Sequence, residues 1–202
     1  MLTGIVLSGG TSTRFGQEKG LVMLNDEPMV SRVVATMRML ADEVVVAVAG
    51  GRAEEYARFL SNDTIIVEDE REGIGPLHGL TTAMRAAGGD YVVVSPCDTP
   101  LLRPEMCRAV VDNGEGKDGA VPFVRGYLEP LHACYRRKTC LDAFEQTVAS
   151  GRRRPKDAYH LLNMARVDEE HIRRFDPHLE SFINVNTQED LAEVMGHISS
   201  QR

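Results

Sequence analysis

The residues best suited to chemistry lie near the start of the chain, where residues 9–19 read G-G-T-S-T-R-F-G-Q-E-K. Adjacent glycines such as Gly9 and Gly10 let backbone N–H groups approach a ligand closely, and successive N–H groups in a tight loop form a concavity that binds anions. Arg14 offers a planar fork for phosphate oxygens, and Lys19 offers a compact charge on a flexible stem. These residue types predict a polyphosphate-binding loop in which Arg14 and Lys19 supply the catalytic charge.

The spacing of this loop excludes the two best-known phosphate loops. A P-loop requires Gly-Lys-Ser/Thr, whereas Lys19 follows Glu18 and precedes Gly20. A dinucleotide fingerprint requires G-x-G-x-x-G, whereas the paired glycines here are adjacent and the next one is Gly16. The phosphate loop is therefore of another type.

A second chemical candidate follows the apolar run at residues 91–95, where residues 96–100 read P-C-D-T-P. An aspartate just past the carboxyl end of a buried parallel strand lies where α/β proteins bind ligands. Beside a polyphosphate, such a carboxylate suits Mg²⁺, which commonly uses one or two carboxylates together with phosphates and waters. We predict that Asp98 is a catalytic magnesium ligand. The alternative is an N-cap for a helix that begins at Pro104.

The elements that must position these residues alternate between strands and helices. Apolar runs typical of buried strands occupy residues 2–7, 44–49, 64–67 and 91–95, and helices are predicted over residues 28–40, 53–60, 76–87 and 104–111. Because the connections are long, the strands should be parallel, with helices covering both faces of the sheet. The phosphate loop and Asp98 should then meet at one edge.

The second half of the sequence is less regular. We predict strands over residues 119–124 and 131–135, a helix that ends near residue 149, a short helix that ends at residue 162, and a late strand with Asn184 and Asn186 on one side. Thr187 and Asp190 have the spacing of a capping box, so a last helix should start there.

The composition is that of an ordinary globular protein: 202 residues, 43% of them apolar and 26% charged, with a net charge of −7. This predicts one domain. The acidic balance argues against a nucleic-acid partner, and the lack of a leader or a long apolar run predicts a cytoplasmic protein without membrane contact. Local basic clusters, such as residues 152–154, suggest a small anionic ligand. The cysteines are expected to be buried thiols.

Four separated motifs together resemble one enzyme family. The signature L-S-G-G-x-S-x-R-F-G-x-E-K, the P-C-D-T-P run, the segment E-P-L-H-A at residues 129–133 and the string F-x-N-V-N-T-x-E-D-L at residues 182–191 occur in the order found in molybdenum cofactor guanylyltransferases, the MobA family. The resemblance implies a three-layer α/β/α Rossmann-like nucleotidyltransferase fold with a mainly parallel central sheet. It also implies a single domain over residues 1–202, with a nucleotide-binding half at about 1–100 and an acceptor-binding half at about 101–202.

The resemblance assigns roles to individual residues. It implies that GTP is bound by Leu7, Ser8, Gly9, Gly10, Lys19, Asp69, Gly75, Pro76, Leu77 and Asp98. It implies acceptor contacts from His132, Arg153 and Asn184, and a magnesium site formed by Asp98 with Asn186. Three alternatives stay open: His132 could simply be buried, the basic segment around Arg153 could be a solvated face, and Asn186 could stabilise the helix cap.

The implied reaction is attack by the terminal phosphate of molybdopterin, in its molybdenum or tungsten form, on the α-phosphorus of GTP. Transient partners would be molybdopterin-inserting and molybdoenzyme-maturation proteins. The alternatives are a molybdopterin cytidylyltransferase, a cobinamide-phosphate guanylyltransferase, or a carrier that binds nucleotide or cofactor without catalysis. Two positions depart from the family pattern: Glu18 replaces a shorter acid, and Ala47 stands where some relatives place an asparagine near the base. Guanine selection would then depend on backbone groups or Asp69.

Overall fold

The computed structural model describes residues 1–9, 18–69 and 75–200, in which ten strands and seven α-helices occur. The strands are β1 (Leu2–Ser8), β2 (Met23–Leu24), β3 (Glu27–Pro28), β4 (Glu43–Ala49), β5 (Ile65–Asp69), β6 (Tyr91–Pro96), β7 (Gly119–Val124), β8 (Tyr127–Leu128), β9 (Cys134–Arg136) and β10 (Met164–Asp168). The helices are α1 (Met29–Arg38), α2 (Ala53–Ala57), α3 (Pro76–Ala86), α4 (Pro104–Gly114), α5 (Arg137–Ala149), α6 (Glu169–Ile172) and α7 (Gln188–Ser200). None of these helices is long and apolar enough to span a bilayer.

Eight of the strands form one sheet in the order β10-β7-β9-β6-β1-β4-β5, with β8 paired to β7. The run from β6 through β1 and β4 to β5 is parallel throughout. Only β9 and β8 pair antiparallel with their neighbours within the described part of this sheet. The four parallel strands therefore bring their carboxyl ends to one edge.

Helices cover both faces of the sheet because the central strands bury alternate residues on opposite sides. On one face, Val6 belongs to an apolar cluster that includes residues of α1 and α4. On the other face, Ile5 and Leu7 belong to a cluster that includes residues of α3 and α5. The predicted three-layer α/β/α architecture with a mainly parallel sheet is confirmed.

A third apolar cluster attaches the last helix to the carboxyl edge of the sheet. It joins Val22 and Leu24 of the first half to Val185, Val194 and Ile198 near the end of the chain. This packing holds the segment before α7 next to the strand ends, which is where the predicted site residues should lie.

The structure corrects two predicted strands. Residues 131–135 are not one strand, because Pro130–His132 forms a 3₁₀ turn and pairing begins only at Cys134. Pro130 has no N–H to donate to a strand ladder, so the turn is the natural conformation there. The late strand predicted to carry Asn184 and Asn186 on one side is wrong, because residues 183–186 have no regular secondary structure. The short helix predicted to end at residue 162 is the 3₁₀ helix Pro155–Leu161.

Candidate active site

The ends of β1 and β6 meet as the parallel sheet requires. Leu7 lies opposite Pro96 in the strand register, and the Cys97 N–H donates a hydrogen bond of 2.9 Å to the Leu7 carbonyl. The Thr99 hydroxyl donates to the Pro96 carbonyl at 3.0 Å and fixes the turn after β6. Asp98 is thereby held at the edge where β1 runs into the glycine loop.

Gly9, the first residue after β1, lies among the described residues. Gly9 is exposed at the end of the strand, as a phosphate-binding position requires. Gly10 and Arg14 lie outside the described residues, so their predicted roles stay predictions.

Lys19 joins the two predicted metal ligands. Its ammonium donates a short, ion-paired hydrogen bond to Oδ2 of Asp98 and a second hydrogen bond, of 2.7 Å, to Oδ1 of Asn186. The side chains of Lys19 and Asp98 are both mostly buried, which reduces solvent screening of the pair. Three residues that are far apart in the sequence therefore converge on one point.

Asn186 reaches this point because its segment is tied to Asp98 by the backbone. The Val185 N–H donates a hydrogen bond of 2.9 Å to the Asp98 carbonyl. The capping box predicted after it is confirmed, since the Asp190 carboxylate accepts from the N–H of Thr187 at 2.9 Å and Thr187 Oγ1 accepts from the N–H of Asp190 at 3.1 Å. The cap uses the backbone N–H of Asn186 and leaves its side-chain amide for Lys19.

The oxygens at this point fit a hard divalent cation. Oδ1 of Asp98 is buried and has no hydrogen-bond partner among the described residues, which is costly for a carboxylate oxygen unless a cation is bound there. Asp98 does not serve as the N-cap of α4, because that position belongs to Arg103. The described residues contain no cluster of three or more His, Cys, Asp or Glu side chains that would hold a metal alone. A site of this kind needs phosphate oxygens and waters, as is usual for Mg²⁺.

The predicted nucleotide-binding residues at the end of β5 and the start of α3 form a rim at the carboxyl edge of the sheet, the edge that also carries Asp98. Asp69 is the last residue of β5, and its carboxylate forms a short hydrogen bond with Nδ1 of His78. Gly75 precedes α3 with a φ of 94°, a conformation that favours glycine, and Pro76 opens the helix. Leu77 is fully buried, backbone included, so its predicted contact with GTP stays a prediction.

The basic segment of the second half packs directly on this rim. The Arg153 carbonyl accepts a long hydrogen bond, of 3.4 Å, from the Leu77 N–H, and a Cβ on Gly75 would lie 3.1 Å from both Cβ and the carbonyl oxygen of Arg153. The side chain of Arg153 is exposed. The structure thus brings a residue predicted for the acceptor next to residues predicted for the nucleotide.

The other two acceptor candidates differ in accessibility. Asn184 is exposed, two residues before Asn186. His132 is only 4% exposed, and its ring packs against Phe182 with 4.9 Å between ring centroids. Neither ring nitrogen of His132 has a hydrogen-bond partner of good geometry among the described residues. The buried alternative is what the structure shows for His132, and an acceptor contact stays a prediction.

The burial of His132 makes a prediction about acid stability. Burial lowers the pKa of His132 from 6.5 to about 4, an effect that the backbone of Ser181 partly offsets. Between these values the unfolded chain binds the proton and the folded chain does not, so the free energy of unfolding should be highest above pH 6.5 and fall as the pH drops toward 4. The loss should be about 3 kcal/mol at most, measured by urea unfolding between pH 7.5 and pH 4.

A matched pair of variants isolates this contribution. His132→Leu should flatten the pH dependence of the unfolding free energy across this range. His160→Gln, which changes an exposed histidine, should keep the wild-type slope. An unchanged slope in His132→Leu would show that other groups control the acid response.

The sequence did not predict that Tyr56 and Arg52 contact the residues on either side of Lys19. Ser8, predicted to bind GTP, is buried, and its hydroxyl forms a hydrogen bond of 2.7 Å with the hydroxyl of Tyr56. A Ser8 contact with GTP would therefore have to come from the backbone. Glu18, the unusual acid of the loop, forms an ion pair of 3.6 Å with Arg52. The run of residues 50–57 gave no signal for this, because nothing in the local sequence shows that it packs against residues 18–20.

Comparison with known proteins supports the resemblance at the level of sequence. A molybdenum cofactor guanylyltransferase from Desulfosudis oleivorans is 32% identical over 203 aligned residues, which cover 100% of this chain and 98% of the relative. A probable molybdenum cofactor guanylyltransferase from Pelotomaculum thermopropionicum is 35% identical and covers 95% of this chain and 90% of its own length.

Solved structures and a family model agree with these relatives. The molybdopterin-guanine dinucleotide biosynthesis protein A of Archaeoglobus fulgidus has a TM-score of 0.82 at 29% identity and covers 99% of this chain and 100% of its own. A 4-diphosphocytidyl-2C-methyl-D-erythritol synthase from Anaerococcus prevotii has a TM-score of 0.74 at 11% identity, which shows a shared fold alone. The family model described as the MobA-like NTP transferase domain matches residues 4–167. The chain therefore belongs to the family of MobA-like NTP transferase domains.

Proposed function

We propose that this protein is a Mg²⁺-dependent guanylyltransferase that transfers GMP from GTP to the terminal phosphate of molybdopterin and releases pyrophosphate. The observation that carries the proposal is the convergence of Lys19, Asp98 and Asn186 at the end of β1, directly after which the glycine loop begins. The names of the molybdenum cofactor guanylyltransferases support the choice of GMP, and the name of the Archaeoglobus protein supports the choice of molybdopterin.

The protein's contribution to the reaction is alignment and charge. The attacking phosphate oxygen is already anionic, so the reaction needs no general base. The Lys19 ammonium neutralises the negative charge that develops on the leaving pyrophosphate, together with the Gly9 and Gly10 amides and Arg14. Lys19 is held at a defined place by Asp98 and Asn186 before the nucleotide arrives.

Asp98 and Asn186 are the residues that would hold Mg²⁺, through a carboxylate and an amide oxygen. When bound, the ion supplies charge stabilisation at the phosphates, worth several kcal/mol. The buried and unpartnered Oδ1 of Asp98 supports this assignment. An amide oxygen coordinates more weakly than a carboxylate, so Asp98 makes the larger contribution.

The rim at the start of α3 is the proposed base and acceptor region. Asp69 accepts N–H groups of guanine, and the exposed backbone of Gly75 and Pro76 lines the nucleotide, with Leu77 buried behind them. Arg153 and Asn184 face the acceptor, and the contact between Arg153 and Gly75 supports a shared pocket for both substrates. This arrangement corresponds to one domain with a nucleotide half at about 1–100 and an acceptor half at about 101–202.

The cytoplasm is the proposed location of the reaction. All four cysteines, Cys97, Cys107, Cys134 and Cys140, are free thiols and buried, which suits a reducing compartment. Transient contact with molybdopterin-inserting and molybdoenzyme-maturation proteins would transfer the product.

One assay tests the proposed function against its alternatives. The protein is incubated with Mg²⁺, each nucleoside triphosphate in turn, and either molybdopterin or cobinamide phosphate as the acceptor. Pyrophosphate release is measured, and the product is identified by mass. Pyrophosphate with GTP and a molybdopterin guanine dinucleotide mass is the expected result. Turnover with CTP, or with GTP and cobinamide phosphate alone, would identify another transferase. GTP binding without pyrophosphate release under any of these conditions would indicate a carrier.

A further inference from the structure

The short helix α2 lies under the turn that carries Lys19. We infer that two residues at α2, Tyr56 and Arg52, are positioning residues that fix the backbone on either side of Lys19 and so hold its ammonium against Asp98. The inference rests on the catalytic role proposed for Lys19. It assigns a task to a part of the chain that none of the sequence motifs includes.

Tyr56 supports the turn from below. Its side chain is fully buried, and its hydroxyl forms a hydrogen bond of 2.7 Å with Oγ of Ser8 at the end of β1. Both hydroxyls are buried, so the loss of either would leave the other to find a new partner. The pair therefore forms a fixed polar support beneath the turn Lys19–Leu21.

Gly20 packs directly against the Ser8–Tyr56 pair. A Cβ built on Gly20 would lie 2.1 Å from Oγ of Ser8 and 2.8 Å from the hydroxyl of Tyr56. The backbone one residue after Lys19 thus lies too close to the Ser8–Tyr56 pair to admit a side chain. The turn itself is closed by a hydrogen bond of 3.0 Å from the Leu21 N–H to the Glu18 carbonyl.

Arg52 holds the other side of Lys19. Its guanidinium lies 3.6 Å from the carboxylate of Glu18, the residue before Lys19, and 2.6 Å from the carboxylate of Glu55. The start of α2 is itself anchored, because Glu68 accepts a hydrogen bond of 2.8 Å from the Ala53 N–H. The longer acid that distinguishes this loop, Glu18, therefore has a partner in Arg52, the residue that precedes α2.

These contacts matter because a lysine side chain is long and flexible. Its four-carbon stem can place the ammonium over a wide volume, so a defined position needs a defined backbone. A small displacement of a charged group from the reacting phosphates has a large effect on rate. Tyr56 and Arg52 act on the reaction only through the position of Lys19.

The test is the Tyr56→Phe variant, which keeps the ring and removes the hydroxyl. We expect kcat/KM for GTP to fall about three- to tenfold, as for the loss of one buried hydrogen bond. In a Lys19→Ala background the same substitution should have almost no further effect, because the residue that it positions is already absent. A merely structural role would lower kcat/KM equally in both backgrounds, and that additivity would overturn the inference.

The second measurement does not depend on catalysis. Lys19 is labelled with acetic anhydride in the nucleotide-free protein, and its labelling rate is compared by mass spectrometry with that of the exposed Lys138. Tyr56→Phe and Arg52→Gln should each speed the labelling of Lys19 about threefold or more and leave Lys138 unchanged. Unchanged Lys19 labelling in both variants would overturn the inference even if the wild type transfers GMP. Faster labelling would support it even if the wild type fails to transfer any nucleotide.

Two controls match the substitutions. Tyr91→Phe removes a tyrosine hydroxyl at the opposite end of the sheet, which donates a hydrogen bond of 3.0 Å to the Lys117 carbonyl. Arg38→Gln breaks an ion pair of 2.6 Å with Asp63. Neither variant should change kcat/KM or the labelling of Lys19. A response from the controls equal to that of Tyr56→Phe and Arg52→Gln would show that any loss of a tyrosine hydroxyl or an arginine has this effect.

Discussion

Asp98→Ala should reduce nucleotidyl transfer by at least about a thousandfold while the protein stays folded. The carboxylate is the strongest ligand of the proposed metal site and the ionic partner of Lys19, so its loss removes charge stabilisation worth several kcal/mol. Each 1.36 kcal/mol corresponds to a factor of ten in rate. The measurement is pyrophosphate release at saturating GTP, molybdopterin and Mg²⁺, with urea unfolding to check that the fold is intact.

The isosteric variant Asp98→Asn makes the test sharper, because it keeps the shape of the side chain and removes only the charge. It should lose almost as much activity as Asp98→Ala. Asp168→Asn is the control, since Asp168 forms an exposed ion pair with Arg166 on the edge strand β10, and it should turn over like the wild type. Near-normal turnover by a folded Asp98→Asn protein would remove Asp98 from the metal site.

Lys19→Ala should weaken the binding of GTP by about ten- to a hundredfold. A charge-assisted hydrogen bond to a phosphate contributes about 1.5–3 kcal/mol, and the alanine variant loses it. Titration calorimetry with GTP and Mg²⁺, in the absence of acceptor, measures binding without turnover. Lys138→Ala removes an exposed lysine on α5 and should bind GTP with wild-type affinity.

Without nucleotide, Lys19→Ala should instead bind a divalent ion more tightly than the wild type does. In the structure Lys19 already neutralises Asp98, so its removal leaves the carboxylate available to a cation. Mn²⁺ titrated without nucleotide and followed by electron paramagnetic resonance should therefore bind more tightly to Lys19→Ala than to the wild type. Unchanged affinities for both GTP and Mn²⁺ would mean that Lys19 has been assigned to the wrong site.

The central strands could be predicted from the sequence because they are buried on both faces. Runs such as residues 44–48 are continuously apolar, and strands β1, β4 and β6 were found within one or two residues of their ends. The fold class followed from their alternation with helices. The convergence of Asp98 with the end of β1 followed from the geometry of a parallel sheet, and Asn186 was placed by the resemblance.

The parts that could not be predicted depend on distant contacts. The edge strand β10 buries only Ala165 and Val167, which gives a weak sequence pattern. The late strand was wrong because the segment before α7 is held by the Val185–Asp98 backbone hydrogen bond and by apolar packing, and it pairs with none of the described strands. Tyr56 and Gly20 are 36 positions apart, and no local property of either residue shows that they touch.

The backbone hydrogen bond between Val185 and Asp98 limits how far this protein can be truncated at its C-terminal end. The family match ends at residue 167, before α6, Asn186 and the capping box of α7. A fragment cut there would keep every strand of the sheet except the final residue of β10. It would nevertheless lack Asn186, whose amide oxygen accepts a hydrogen bond from Lys19 beside Asp98, together with the apolar packing of α7. The smallest version of this protein that retains the whole candidate centre must therefore extend through α7.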